Sequence, residues 1–403
     1  MGKRSVKGAL MCLCLCLCLG GQSALADGVT LRTVSTFAGA DTAAEAYVDI
    51  LKAYEAESGN VVLDASAVSD EAWKTGVLHD FAAGNEPDIL FFFGAGADSA
   101  PILYKVTPIA EINAAYPDIH LPENDALREK DGLVYAVPVR SYWEGLYVNS
   151  DLFELYGIPL PTDWASFCFA IQAFREKDIV PIAISLSDIP HYLAEFSLLA
   201  CADREDQQAR PATLEEVPSS WYEAMALIRE MYLMGAFADN AFSTFESAST
   251  ELFRTKKAAM QIDGSWLASS LPASSMETTL VLPVPLRSGA GASDCCIGGI
   301  SMGFYLTRRA WESERRDAAV SLLSALTRED SLRRLGYSGV SGALLSSAGE
   351  MTLERFMLSP LQDAMNKNAR EVWLLECIPA VASGAMTPEA CWERVMALQP
   401  FGE

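Results

Sequence analysis

The chain has 403 residues, half of them apolar and 21% charged, which is enough for two globular domains with separate cores and excludes a disordered chain. A formal net charge of −23 excludes nucleic acid as a partner, because little here could neutralise a phosphate backbone. The same charge suits a neutral or cationic ligand.

The chain opens with a targeting pattern. Lys3, Arg4 and Lys7 form a basic region, residues 9–19 an apolar one, and Ala24-Leu25-Ala26 a small-x-small cleavage site, so Asp27 is the expected mature N-terminus. The apolar run is short for a membrane span. It contains Cys12, Cys14, Cys16 and Cys18, each preceded by Leu or Met, whereas lipoprotein processing prefers a small residue there. Export as a free protein is therefore expected, with a lipid anchor as the rival reading. Six cysteines remain, and their pairing is open at this stage. Their spacing fits no zinc pattern and only three histidines are present, so neither a metal nor a cofactor is expected.

Residues 29–34 alternate as a short strand, 42–58 carry helical spacing at Ala46, Ile50, Ala53 and Tyr54, and Gly59-Asn60 stops that helix. A strand at 61–64, a helix at 70–83 closed by Gly84-Asn85 and an apolar strand at 87–92 follow. Strand and helix alternating at this spacing predicts parallel βαβ units. Residues 135–149 then run extended through Pro138 to the polar and aromatic patch Tyr142-Trp143-Glu144, and a helix beginning near Asn149 is stopped by Gly157 and Pro159.

A second body is predicted to follow, with helices at 164–175, 194–202 and 221–234 and strands at 180–185, 258–262 and 280–286. A turn is expected at Asp263-Gly264 and a bend at Gly298-Gly299, where two glycines let the backbone turn or approach a ligand closely. A strand at 301–306, an amphipathic helix at 309–328, a Gly-rich crossing at 336–342 and helices broken at Pro360, Pro379 and Pro388 complete the chain.

Three stretches together resemble the extracellular solute-binding proteins of carbohydrate ABC transporters (family 1, maltose-binding-protein-like). They are Gly145-Leu-Tyr-Val-Asn with Asp151-Leu-Phe, Gly157-Ile-Pro and Pro161-Thr-Asp-Trp164; Lys257-Ala-Ala-Met-Gln-Ile-Asp-Gly-Ser-Trp266; and Ile297-Gly-Gly-Ile-Ser-Met-Gly-Phe-Tyr-Leu306. Each is weakly specific alone, but their order and spacing run through most of the mature chain. The resemblance implies an α/β, two-lobe periplasmic-binding-protein fold (type II-like) with three hinge crossings and a ligand cleft between the lobes. Residues 27–138 and 299–335 would form the N-terminal lobe, and 139–298 and 336–403 the C-terminal lobe. The implied partners are a carbohydrate and the membrane permease subunits of an ABC importer, with the protein a monomer in the periplasm or on the outer face of the cell membrane.

Sugars offer apolar C–H faces to flat rings and hydroxyl rims to carboxylates and amides. The resemblance makes Trp266, in Asp-Gly-Ser-Trp, a ring that stacks on sugar, the other reading being a core aromatic after a strand. Tyr142 and Trp143 are neighbours on an extended segment, so one faces the cleft and the other packs away. Glu144 and Asp263 are the hydroxyl acceptors expected in the second lobe. Phe37 and Asp41 match the family's first-lobe loop, although Asp41 also suits a helix cap at Thr42. Phe93 lies at the carboxyl end of a strand, where open α/β sheets hold ligands. Trp73 and Trp373 fall where the family carries cleft aromatics, His191 follows Pro190 where the family has a Pro-aromatic pair, and Gly299 lies at the second crossing.

Catalysis is not expected. A glycosidase needs two acids at a fixed separation, and no local motif selects a pair. The sequence has no Gly-x-Ser-x-Gly, no phosphate-binding Gly-x-x-x-x-Gly-Lys-Ser/Thr and no His-Glu-x-x-His. The main rival is the same fold binding a polyamine or another small cationic solute between acids and rings.

Overall fold

The first strand, β1 (Thr30–Ser35), turns Leu31, Thr33 and Ser35 inward, as its alternation requires. The helix that follows, Ala44–Ser58, buries Tyr47, Ile50, Leu51 and Tyr54 on one stripe. It ends at Gly59 in the left-handed conformation (φ 71°), which glycine adopts without a Cβ clash. β2 (Val61–Ser66) and β3 (Ile89–Phe93) flank β1, both parallel to it, so the first body is built from βαβ units. The computed structural model describes residues 28–39, 41–68, 71–94, 99–287, 294–336, 342–352 and 355–402. The leader with its cysteines and cleavage site, and residues 337–341 of the expected third crossing, lie outside the described residues.

Two long strands carry the chain between bodies, β4 (Ala136–Asn149) and, after β5 (Val180–Ala183), β6 (Ala258–Gly264) and β7 (Thr279–Leu282), the strand β8 (Cys295–Leu306). They pair antiparallel from Ala136 opposite Tyr305 to Trp143 opposite Gly298. The register shifts between Pro138 and Arg140 and again between Arg140 and Ser141. Pro138 has no N–H to give to the ladder, so an irregularity there is expected. β8 continues onto β3, with Phe91 opposite Phe304, while the second half of β4 pairs with β6 and β7. The strand order is β2-β1-β3-β8-β4-β6-β5, with β7 on β4 and a short β9 (Phe356–Leu358) on the start of β8.

Two main cores result. One takes residues between 31 and 137 and between 302 and 335, around Phe37, Tyr47, Phe91 and Phe304. The other takes residues between 146 and 262 and between 361 and 396, around Phe167, Trp221, Trp373 and Trp392. A smaller cluster of Trp143, Tyr147, Phe253, Val281 and Met351 lies beside it.

Several local expectations are corrected. Gly298 and Gly299 make no bend, because both stand in the β8 ladder opposite Trp143 and Tyr142. Asp263 and Gly264 end β6 opposite Gly145 and Glu144 rather than forming a turn. The helix expected at 309–328 is two, Arg308–Trp311 and Arg316–Leu326. β9 interrupts a region read as wholly helical.

Candidate ligand site at the end of the crossing strand

β4 leaves the crossing with Tyr142 and Glu144 on one face and Trp143 on the other, since strand neighbours alternate. β6 lies beside it with Gly264 opposite Glu144 and Asp263 opposite Gly145. Gly264 is needed for close approach here: a Cβ on it would stand 2.2 Å from the Trp266 ring, so the indole lies directly on the Gly264 backbone. That support leaves Trp266 38% exposed, with its ring 6.0 Å from Tyr142 and 5.7 Å from Tyr192. Tyr192 in turn lies 4.1 Å from the His191 ring. Four rings from a crossing strand, a strand end and a helix start therefore adjoin.

Carboxyls underlie them. Glu144 is buried, and desolvation together with the charges of Glu195, Asp363 and Asp263 pushes its pKa well up. Asp263 is 1% exposed and is pushed up to about 7 by burial. The opposing influences on it are the Gly264 amide, which donates at 2.7 Å, the Trp266 indole and the Gln261 amide, which donates at 2.5 Å. Glu195, on the buried helix His191–Cys201, is pushed up to about 8 by burial, against the amides of Leu361 and Gln362. Burial lowers the pKa of His191 to about 4, with Arg370 adding to the effect, so its ring is neutral at physiological pH. Flat rings can cover an apolar face, and carboxyls whose protonated form burial favours can donate as well as accept hydrogen bonds around its rim.

The other expected site residues separate from this group. Trp143 faces away and is buried in the small cluster, so of the two neighbours it is Tyr142 that meets the exposed Trp266 ring. Trp373 is wholly buried against Trp392, 5.7 Å between centroids, and belongs to the second core rather than to a surface a ligand could reach. Phe37 is also core, stacked on Tyr47 at 4.5 Å and tilted against Phe91 at 4.6 Å. Asp41 is not the helix cap, since the helix begins at Ala44 with Ala43 as N-cap; it accepts the Ala43 amide at 2.9 Å in the preceding turn and grips the Arg140 guanidinium with both oxygens at 2.7 and 2.8 Å. That guanidinium lies 4.7 Å over the Phe37 ring and donates to the Leu335 carbonyl at 3.2 Å.

Phe91 and Phe92 are core, which leaves Phe93 half-buried with the Lys74 ammonium 4.9 Å from its ring. Trp73 is half-buried, 5.5 Å from Phe92. Gly299 stands opposite Tyr142, and a Cβ there would meet that ring at 3.6 Å, an ordinary contact. Sequence reasoning missed Tyr192, Glu195 and Arg140. The signal for Glu195 was present, as the one acid in an otherwise apolar helix, His-Tyr-Leu-Ala-Glu-Phe-Ser-Leu-Leu-Ala-Cys. Among the described residues no group of His, Cys, Asp and Glu is arranged to hold a metal ion, and no helix is long and apolar enough to cross a membrane.

Two α/β bodies joined by a pair of long antiparallel strands, with rings and buried carboxyls where one strand enters the second body, define a two-lobed binding protein. The pattern of the bacterial extracellular solute-binding protein family matches residues 39–331, and the chain belongs to that family. It is 25% identical over 243 residues, 56% of its own length and 54% of the relative's, to the multiple sugar-binding protein of Streptococcus mutans. A 93-residue stretch, 23% of this chain and 20% of the relative, is 29% identical to the melibiose/raffinose/stachyose-binding protein of Bacillus subtilis. The chain thus matches about half or less of the length of these relatives. Among solved structures, a chitin oligosaccharide binding protein superposes with a TM-score of 0.75 at 20% identity, covering 93% of this chain and 98% of that one. A Bacillus licheniformis sugar transporter in complex with stachyose gives 0.64 at 17% identity, covering 92% and 99%. These likenesses establish the two-lobe fold.

Proposed function

We propose that this protein is the substrate-binding component of an ABC importer, capturing a sugar or oligosaccharide between its lobes and delivering it to the membrane permease. The observation that carries this reading is the exposed Trp266 ring, held on Gly264 between Tyr142 and Tyr192 and set beside Glu144 and Asp263. Rings of this kind cover sugar C–H faces, and protonated carboxyls serve neutral hydroxyls. The printed functions of the relatives in Streptococcus mutans and Bacillus subtilis agree with it. The lobes in this reading are residues 27–138 with 299–335, and 139–298 with 336–403. Tyr142, His191 and Trp266 form the second-lobe contact surface, with Glu144, Tyr192 and Asp263 buried beneath it, and Trp73 and Phe93 supply the first-lobe rim.

Closure follows from population shift: a ligand that touches both lobes favours the form in which both sets of contacts exist. The protein acts after export, as a monomer and without catalysis. A thermal-shift screen of neutral mono- and oligosaccharides, with spermidine alongside, tests the reading, since a ligand that binds only the folded state raises Tm. A rise with at least one saccharide and none with spermidine is expected. A rise with spermidine alone, or release of reducing sugar from an oligosaccharide, would overturn it.

A further inference from the structure

Cys377 ends the π-helical segment Val372–Cys377, and Cys391 lies in the last helix, Pro388–Met396. Between them the helix Ile378–Ser383 stops at Gly384 (φ 82°), and the chain turns back to Thr387, whose hydroxyl accepts the Ala390 amide at 3.2 Å. Both cysteines are wholly buried in the second core. Nearby, the Trp373 and Trp392 rings hold the same two segments together, 5.7 Å between centroids. Both are free thiols in this structure, and each is the other's neighbour in that core.

We infer that Cys377 and Cys391 are joined by a disulfide in the exported protein, stapling the C-terminal helix to the core of the second lobe. The inference rests on the extracellular address of the family, because disulfides persist in oxidising compartments outside the cytosol. It does not depend on what the protein binds. The other cysteines are placed differently. Cys295 and Cys296 are neighbours in β8 and point to opposite faces. Cys168 is half-buried beside Glu230 and Arg287, and Cys201 is buried near the same two charges, with no thiol contact between them among the described residues.

The chemistry is thiol–disulfide exchange with an exported dithiol oxidoreductase in its disulfide form. Cys377, the first of the pair to leave the ribosome, attacks as its thiolate, the nucleophilic form. The Cys377 thiolate bonds to one sulfur of the oxidant and expels the other as thiolate. Cys391 loses its proton to water and displaces the oxidant from the mixed disulfide, forming the Cys377–Cys391 bond. Two electrons reduce the oxidant to its dithiol, and the two protons leave with it or to solvent. Because neither sulfur is exposed in the folded protein, exchange precedes docking of the last helix, and the finished bond is shielded from reductant.

The test uses the full chain with its own leader, recovered from the exported fraction of a bacterial host, denatured and alkylated with iodoacetamide without reductant. No Lys or Arg lies between Arg370 and Arg394, so trypsin releases both cysteines in one peptide, residues 371–394. That peptide is expected unalkylated and lighter by two hydrogens, taking up two alkyl groups only after reduction. A doubly alkylated peptide before reduction, or either cysteine bonded to a different cysteine, overturns the inference. In urea titrations, reductant is expected to lower the wild-type midpoint to that of the Cys377→Ser/Cys391→Ser double variant and to leave the double variant unmoved. A wild-type midpoint indifferent to reductant overturns it as well.

Discussion

In the first lobe, buried acids meet cations. Asp88 receives the Arg315 guanidinium at 2.9 Å, and Glu86 takes the Lys105 ammonium at 2.5 Å. In the second lobe Glu144, Glu195 and Asp263 are as secluded, yet among the described residues none of them makes an ion pair. The nearest help is the charge of Arg210 acting on Glu195, and that arginine is itself disfavoured by burial. Desolvation acts on both sets, but the first lobe answers it with charge, whereas in the second it raises the carboxyl pKa values. The second-lobe acids are held by amides instead, Asp263 by Gly264 and Gln261 and Glu195 by Gln362, beneath the exposed Trp266 ring.

That contrast has a sign in pH. An unfolded carboxyl gives up its proton near pH 4, whereas Asp263 keeps its proton up to about 7 and Glu195 to about 8 in the folded protein. Between these limits the folded state holds more protons than the unfolded one. These two groups therefore make stability fall as pH rises from 4 to 8. For Asp263 alone the loss is on the order of 4 kcal/mol. Urea midpoints at pH 5 and pH 9 measure it, and Asp263→Asn should remove a large part of the difference. A midpoint that climbs with pH across this window would break the comparison.

Replacing one acid from each lobe sharpens it. Asp88→Asn strands Arg315 and weakens the bond from the Arg32 amide, made at 2.8 Å, so a loss of ~3 kcal/mol is expected. Asp263→Asn at pH 8 removes a charge that burial penalises and should be neutral or stabilising in the same denaturation assay. Equal losses would show that the two lobes treat buried acids alike.

Trp266→Ala tests the rings. Losing an anchoring aromatic commonly costs ~2 kcal/mol or more of binding, roughly thirtyfold in Kd. Because the ring is 38% exposed, the cost in folding stability should be far smaller than that of a core tryptophan. Calorimetric titration and chemical denaturation of the one variant separate the two effects. Large instability with unchanged affinity would return Trp266 to the core.

The smallest effects concern the paired glycines. A Cβ at Gly298 would stand 2.7 Å from the Tyr142 carbonyl, so Gly298→Ala forces the β4–β8 ladder apart and should cost ~1–3 kcal/mol. At Gly299 the nearest atom is 3.6 Å away and the backbone is not left-handed, so Gly299→Ala should change stability by less than ~0.5 kcal/mol. Thermal unfolding of the two variants distinguishes them.

The crossing was legible because Pro138, the aromatic patch and the double glycine are local features. The exposed placement of Trp266 follows from a local feature, its support Gly264 being two residues away. Phe37 and Trp373 were not legible, since what buries them lies elsewhere in the chain: Phe304 and Arg140 for one, Trp392 for the other. Asp41 looked available for ligand because its partner, Arg140, is 99 residues away. The helix carrying Tyr192 and Glu195 is buried on nearly all sides, so no polar face in its sequence marked which side meets the rings.

β8 closes the sheet of the first lobe from far down the chain: the Tyr305 hydroxyl donates to the Phe93 carbonyl across 212 residues. The second lobe waits in the same way, since Glu195 accepts the Gln362 amide across 167. Contacts this distant make folding slow, because a long loop must close before they form. At the usual pace of synthesis, ~5–20 residues per second, β3 leaves the ribosome roughly 10–40 s before the strand that completes its sheet. During that interval neither lobe can finish its core, and a translocation channel that accepts only unfolded chain has time to engage it.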